Sequence, residues 1–245
     1  MRYLRLSLWL WLIGRLASAA PGAVSERLEY DLYWSLLPVG QLVIETGRRD
    51  VEGLPRQYVR LTVESNRLIG KLFPVRDVVE SVQDADTGRP VHLSKRTREG
   101  RVVCEDDLYF DAARGMARWE NHRAGSVVEY PVPENAHDAV SLMTAMRDES
   151  LAAGQERRIP VAVDGRLYEV IVRAQREEAV DLGPLGRRPA LRVSISTSQP
   201  GMFVRKAPRA LWISTEPPVR ALQMLVKAPL GTVRVVLRSI THSKG

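Results

Sequence analysis

The sequence has only one cysteine, Cys104, among its 245 residues. A single thiol cannot form a disulfide within the chain, so packing alone must hold the fold together. Cys104 lies in residues 101–105, which alternate like a strand. We interpret it as an inert buried thiol. The alternative, a reactive nucleophile, would need a partner histidine pattern that the sequence does not contain.

Known catalytic and metal-binding motifs are also absent from the sequence. None of the four histidines (His92, His122, His137 and His242) is spaced from another as metal ligands are. There is no HExxH, CxxC or EF-hand pattern, no GxSxG elbow and no glycine-rich phosphate loop. The sequence therefore predicts no catalytic residue, no metal and no cofactor. An enzyme remains a third possibility, which would require a convergent polar pocket.

Two short polar clusters have a structural and a chemical interpretation. We interpret His137-Asp138 as a capping aspartate beside an exposed histidine, with an acid/base pair as the alternative. Glu105-Asp106-Asp107 would alternate between the two faces of a strand, so the three carboxylates cannot converge on one cation. We expect this second cluster at a solvated edge or turn.

Long hydrophobic runs are missing except at the start of the chain. Leu6 to Ile13 is an apolar run of about eight residues, whereas a membrane-spanning helix needs about 20. Arginines precede this run, and Ala17-Ser18-Ala19 follows it as a small-residue cleavage pattern. Residues 1–19 are therefore predicted to be a secretory signal, with a retained anchor as the alternative. We expect a periplasmic protein with one domain over residues 20–245 and no transmembrane segment after cleavage.

The formal net charge of +7 comes from arginines that are scattered along the chain. They are not clustered with interleaved aromatic residues, as a nucleic-acid surface would require. We therefore predict no nucleic-acid partner. Contact with anionic lipid is compatible with this charge.

The sequence is rich in segments that alternate apolar and polar residues with a period of two. Such segments recur about every 8 to 15 residues, which predicts a meandering antiparallel sheet. The last fifth of the chain shows this best, with strands predicted at residues 210–214, 220–227 and 232–240. We also predict a hairpin turn at residues 37–40 and a two-residue turn at Asp164-Gly165, which needs positive φ angles. One helix is predicted over residues 139–151, with Asp138 accepting from the amides of its first turn.

Four sequence patterns, in this order, resemble domain-of-unknown-function family 3108, a family of exported bacterial proteins. They are LEYDLYWSLLPVGQLVIE near the start, the Asp-x-x-Ser-x-x-x-x-x-Arg arrangement from Asp138 to Arg147, the hairpin RRIPVAVDGRLYEVIVRAQREEAV, and the closing LWISTEPPVRALQMLVKAPLGTVRVVL. The resemblance implies a mainly β fold. Its expected form is a strongly curved antiparallel sheet, an incomplete β-barrel like that of lipoprotein carriers, with one central α-helix against its concave side.

A concave apolar face that a helix covers imperfectly could hold an acyl chain. The leading hypothesis is therefore a non-catalytic binding or carrier module for a lipid-like or apolar component of the cell envelope. The same lining residues could instead form a dry core. The second hypothesis is an envelope scaffold or adaptor that binds a protein or cell-wall polymer through sheet edges. The predicted lining residues are Trp34, Leu142, Met143, Met146, Trp212 and Met224.

Overall fold

The computed structural model describes residues 23–148, 151–198, 208–228 and 231–243. In these residues the chain forms a single sheet of fifteen strands, in which the neighbours are antiparallel except for one short parallel pair. The predicted signal over residues 1–19, and the anchor that is its alternative, lie outside the described residues. Within them, no helix has both the length and the apolar character needed to span a bilayer.

The first half of the sheet is a continuous meander that begins at β1. Each strand pairs with the next one along the chain. The strands are β1 (Ala23–Trp34), β2 (Leu37–Val51), β3 (Leu54–Ser65), β4 (Val75–Asp84), β5 (Pro90–Glu99), β6 (Val102–Asp111), β7 (Met116–Asn121) and β8 (Ser126–Pro131).

The second half begins with the short strand β9 (His137–Asp138) and helix α1 (Ser141–Ala145). Its last strand pairs with β1, so the first and last strands of the chain are neighbours in the middle of the sheet. The remaining strands are β10 (Glu156–Val163), β11 (Arg166–Asp181), β12 (Arg187–Thr197), β13 (Ala210–Ser214), β14 (Ala221–Ala228) and β15 (Gly231–His242).

The two ends of the sheet, β8 and β9, do not pair with each other within the described residues. Side chains nevertheless connect the two halves of the sheet. A small buried cluster joins Leu108 and Ala117 of the first half to Ala162 of the second. The result is an incomplete barrel, as predicted.

The period-two patterning that predicted the strands is visible in their burial. In β11 the side chains of Tyr168, Val170 and Val172 are buried, whereas the intervening Glu169 is exposed. Such alternation is typical of a sheet with one face toward a core. β11 is continuous through an irregularity between Ala174 and Glu177.

The predicted helix over residues 139–151 is wrong in length, because α1 covers only Ser141–Ala145. The apolar spacing that suggested a longer helix continues past α1, but tertiary contacts determine the backbone there. The carbonyl of Arg147 accepts a hydrogen bond from the amide of Val219 at 2.6 Å, outside any helical pattern. Leu151 is buried without being helical, and residues 149–150 lie outside the described residues.

The two predicted turns have different outcomes. Asp164 and Gly165 have φ angles of 47° and 75°, so the two-residue turn between β10 and β11 is confirmed. The turn predicted at residues 37–40 is wrong, because the chain reverses at the two preceding residues, Ser35 and Leu36. Gly40 lies inside β2, where any side chain would overlap the carbonyl oxygen of Glu64. This glycine therefore permits close strand packing rather than a turn.

Candidate functional site

A partly open cavity of about 440 Å³ lies between the two halves of the sheet. Helix α1 and the residues around it form part of its wall. Most of the lining side chains are apolar, and they come from strands throughout the sheet: Leu28, Ile44, Leu61, Val79, Leu93, Val172, Val193, Ile195, Leu211 and Ile213.

Four of the six predicted lining residues are brought together at this cavity. Leu142, Met143 and Met146 reach it from α1 and the turn after it, and Met224 reaches it from β14. Leu142 is buried, whereas Met143 is exposed. Met143 therefore marks a place where the cavity wall meets solvent.

The two predicted tryptophans do not line the cavity, which corrects the sequence prediction. Trp212 lies between Leu211 and Ile213 on β13, and these two neighbours face the cavity. Because side chains alternate along a strand, Trp212 points to the other face. There its indole N–H donates a hydrogen bond to Glu178 at 2.6 Å. Trp34 is exposed at the end of β1.

The α1 segment is held against the first half of the sheet by the buried carboxylate of Asp138. One carboxylate oxygen accepts hydrogen bonds from the amides of Val140 and Ser141, each at 2.7 Å. The other accepts one from the hydroxyl of Ser81 on β4, also at 2.7 Å. Burial raises the pKa of Asp138 above its ordinary value, against these hydrogen bonds. Asp138 thus accepts from the amides at the start of the helix as predicted, but it is not the N-cap residue, which is Val140. The prediction of an exposed His137 is wrong. That histidine is half-buried, and burial lowers its pKa.

Two arginines at the cavity wall share one buried carboxylate. Glu26 on β1 is only 4% exposed. Arg147 and Arg220 each approach it to 2.6 Å, and both arginines also line the cavity. Burial favours a higher pKa for Glu26, but the hydrogen bonds from the two arginines lower it below the ordinary value. With two cations and one anion, this cluster carries a surplus positive charge.

A second polar cluster lies at the cavity wall four strands away in the sheet order. The ammonium group of Lys95 on β5 is 2.7 Å from Asp106 and 2.5 Å from Asp164 in the β10–β11 turn. Burial lowers the pKa of Lys95, but these two carboxylates outweigh it, so the pKa is raised. The thiol of Cys104 donates to Asp106 at 3.0 Å. Burial and this hydrogen bond raise the Cys104 pKa to about 11, in keeping with an inert thiol.

The acidic residues at 105–107 do not lie at a solvated edge, which corrects the prediction. Asp106 and Asp107 are both buried, and they bind different partners. Asp107 accepts hydrogen bonds from His92, Arg96 and His122. Burial would raise the pKa of Asp107, but these three hydrogen bonds hold it well below its usual range. Among the described residues, no group of three or more histidine, cysteine or acidic side chains could hold a metal ion.

Sequence reasoning missed Glu26, Lys95 and Asp164. Each is a charged residue in or beside a strand, and its partners are distant in sequence. Lys95 and Asp164 are separated by 69 positions, and Glu26 and Arg220 by 194. No local spacing can indicate such pairs. The inward position of Glu26 in the alternation of β1 was the only available signal.

One solved structure is similar to this chain over nearly its whole length. It is the crystal structure of a beta-barrel-like protein of domain of unknown function DUF1849 from Brucella abortus. The superposition has a TM-score of 0.58 at 13% sequence identity, and it covers 91% of this chain and 99% of that one. At this identity the likeness concerns the fold alone. No curated protein matches the chain.

The family comparison covers most of the sequence. Residues 29–238 match the model of the family described as "Protein of unknown function (DUF3108)". The matched range includes Asp138, which positions α1, and Arg147 and Arg220, which line the cavity. The chain belongs to this family.

Proposed function

We propose that this protein is a non-catalytic binding or carrier module of the bacterial periplasm. Its ligand is a lipid-like or otherwise apolar component of the cell envelope, bound in the interior cavity. The observation that carries the proposal is the cavity of about 440 Å³ with its mainly apolar wall. This volume lies within the range of about 300–1,000 Å³ that is typical of small-molecule sites.

An acyl chain suits this cavity on energetic grounds. Each methylene moved from water into an apolar site contributes about 0.8 kcal/mol. Met143, Met146 and Met224 on the wall add flexible side chains that adapt to an irregular ligand. The open volume favours this proposal over a solid dry core formed by the same residues.

The charges at the wall favour a ligand with a negatively charged end. Among the described residues, Glu26 is the one carboxylate that pairs with Arg147 and Arg220, so one positive charge at the wall remains unbalanced within this cluster. A carboxylate or phosphate can accept hydrogen bonds from guanidinium groups. A fatty acid should therefore bind more tightly than the alcohol of equal chain length.

The experiment is to express the full chain in a bacterium and to purify the protein from the periplasmic fraction. Native mass spectrometry then identifies both its first residue and any bound lipid, and a fluorescent fatty acid measures binding. Export predicts a protein that begins near Ala20. Absence from the periplasmic fraction would contradict the localisation. Recovery without lipid, together with no fatty-acid binding, would contradict the ligand proposal.

A pair of variants at adjacent positions of β12 tests the location of the site. Ile195 lines the cavity, and the next residue, Ser196, is exposed. Ile195→Trp should fill the cavity and weaken fatty-acid binding at least tenfold. Ser196→Trp adds the same side chain outside the cavity and should bind like the unmodified protein. Equal binding by the unmodified protein and both variants would place the ligand elsewhere.

The second candidate function is an envelope scaffold or adaptor, and the free edge of β8 favours it. Val127 and Val128 on this edge strand are 54% and 39% exposed. An added strand could pair with the unpaired backbone of such an edge. This function would be favoured over the carrier if the protein captures one defined envelope protein while its cavity holds no lipid, and if Val127→Lys prevents that capture.

A further inference from the structure

Three neighbouring connections at one end of the barrel expose large apolar side chains. Leu36, in the β1–β2 turn, is 87% exposed. Leu68 and Leu72, in the β3–β4 connection, are 65% and 85% exposed, and Val102, after the β5–β6 turn, is 69% exposed. In an antiparallel meander these three connections lie at the same end of the sheet. We call these four side chains the apolar end.

Hydrogen bonds link the β3–β4 connection to the start of β2 and to the β5–β6 turn. Asn66 in the β3–β4 connection donates from its backbone amide to the carbonyl of Val39 at 2.9 Å, and from its side chain to that of Pro38 at 2.5 Å. The amide of Gly100 in the β5–β6 turn donates to the carbonyl of Pro74 at 2.8 Å. The connections therefore present the leucines from a common, supported surface.

Positive charges stand among these apolar side chains. Arg67 and Lys71 lie in the β3–β4 connection and Arg101 in the β5–β6 turn, and all three are exposed. Within the described part of the chain, no acidic partner is found for any of them. Two acidic residues are nearby: Glu64 is offset by Arg76 at 3.7 Å, and Glu99 precedes the β5–β6 turn, so the three cations outnumber the acid that remains. The apolar end thus combines protruding apolar groups with unbalanced positive charge.

The opposite end of the barrel has a different character. Its β2–β3 and β4–β5 connections and the strand ends beside them contain Asp50, Glu52, Asp84 and Asp86, of which Asp84 pairs with Arg56. Of the large apolar side chains there, Leu54 is 51% exposed and Ile240, near the end of β15, is 38% exposed. Among the described residues, several exposed leucines beside cations occur at the first end rather than at this one.

We propose that the apolar end docks the protein onto a lipid bilayer that carries anionic head groups. Leucines on protruding turns can enter the boundary between head groups and acyl chains, where apolar surface leaves water. The surrounding arginines and lysine are attracted by anionic lipids. The apolar groups stand on separate convex turns, a shape that a deformable lipid surface accommodates more readily than a rigid protein surface does. This inference does not depend on a ligand in the cavity.

The test is co-sedimentation of the protein, purified in the form that cells accumulate, with two kinds of vesicle. One kind is phosphatidylcholine alone, and the other is an equal mixture of phosphatidylcholine and phosphatidylglycerol. We expect the protein to bind the mixed vesicles at least tenfold more tightly. The double variant Leu36→Ser/Leu72→Ser should lose at least tenfold in this binding. Because both leucines are exposed, the double variant should remain folded, which circular dichroism verifies.

Three further variants keep this test specific. Leu54→Ser removes an exposed leucine at the opposite end and should bind vesicles like the unmodified protein. Arg67→Gln/Lys71→Gln should weaken binding to the mixed vesicles only. The cavity-filling Ile195→Trp should bind vesicles normally, so failure of the carrier proposal and failure of this one are distinguishable.

The proposal is wrong if the unmodified protein does not co-sediment with either kind of vesicle, or if Leu36→Ser/Leu72→Ser binds the mixed vesicles as tightly as the unmodified protein. It is also wrong if the lipid-free protein sediments as a dimer that this double variant dissociates, because a second copy would then cover the apolar end. If Leu36→Ser/Leu72→Ser instead loses binding to a defined protein partner and still binds vesicles, the apolar end is the binding site of that partner.

Discussion

Glu26 is a buried carboxylate whose two partners come from distant parts of the chain. Arg147 follows α1, and Arg220 precedes β14. Removing one member of a buried ion cluster leaves the remaining charges without compensation, and this typically costs about 3–5 kcal/mol. One side chain thus connects β1 to two segments that line the cavity.

We expect Glu26→Gln to lower the free energy of unfolding at neutral pH by about 3 kcal/mol, measured by urea denaturation. Glu29→Gln is the matched control on the same strand. Glu29 pairs with Arg27, and both side chains are more than a third exposed, so its loss should cost less than about 1 kcal/mol. Equal effects of the two variants would show that the arginines do not depend on Glu26.

The stability that Glu26 contributes should depend on pH, because the pKa of Glu26 is lowered in the folded protein. A carboxyl group with a lower pKa in the folded state stabilises the protein above its unfolded pKa, near 4.5. That contribution is lost as the pH falls through the folded pKa. The unmodified protein should therefore exceed Glu26→Gln in free energy of unfolding by the full amount at neutral pH, and by progressively less as the pH is lowered into the acid range. A constant difference would contradict the assignment.

At the scale of secondary structure, the sequence predicts strands far better than it predicts the helix. Strands such as β15 follow from local alternation, and burial on one face enforces the same period of two. The α1 segment instead depends on the hydrogen bond between Ser81 and Asp138 and on the contact of Arg147 with Glu26, and both form only in the folded barrel. Its length could therefore not be predicted from apolar spacing alone.

The same distinction applies to the candidate site. Leu142, Met143 and Met146 were predictable, because they belong to one local segment beside a curved sheet. Trp212 was misplaced because tryptophan suggested a ligand contact, whereas its place between Leu211 and Ile213 already assigned it to the opposite face. Alternation within a strand is thus a better guide to cavity lining than the chemical type of a side chain.

Asp138 provides the test at this scale, because it joins the α1 segment to β4. Asp138→Ala removes three hydrogen-bond acceptor contacts in a fully buried place, so we expect a loss of about 3 kcal/mol in the free energy of unfolding. Hydrogen exchange should also accelerate over α1. Asp138→Asn keeps an acceptor for the two amides and can donate to Ser81, so it should cost less than about 1 kcal/mol. A severe effect of Asp138→Asn would mean that the charge itself is required.

On the scale of the whole molecule, side chains rather than backbone pairing close the barrel. Within the described residues the sheet order ends at β8 and β9, yet Lys95 of the first half binds Asp164 of the second. Gly165 lies against the ring of Trp119, where an added Cβ would come within 3.0 Å of the indole. Such side-chain contacts between the two halves can separate without breaking any strand pairing. We therefore expect that opening the barrel costs less free energy than unfolding the sheet.

Lys95→Met should weaken the contact between the two halves of the sheet, and the effect should be visible in both halves. The substitution keeps most of the apolar stem, but it leaves Asp106 buried without its cation, at a cost of about 3 kcal/mol. Hydrogen exchange should accelerate in β5 to β7 and in the β10–β11 hairpin together, while β1 to β3 stay protected. Glu156→Gln is the control, because it breaks the exposed pair with Arg173 within the same hairpin and should alter exchange only there. If Lys95→Met changes exchange in β5 and β6 alone, the two halves are held together by other contacts, and the cavity would keep its shape without this ion pair.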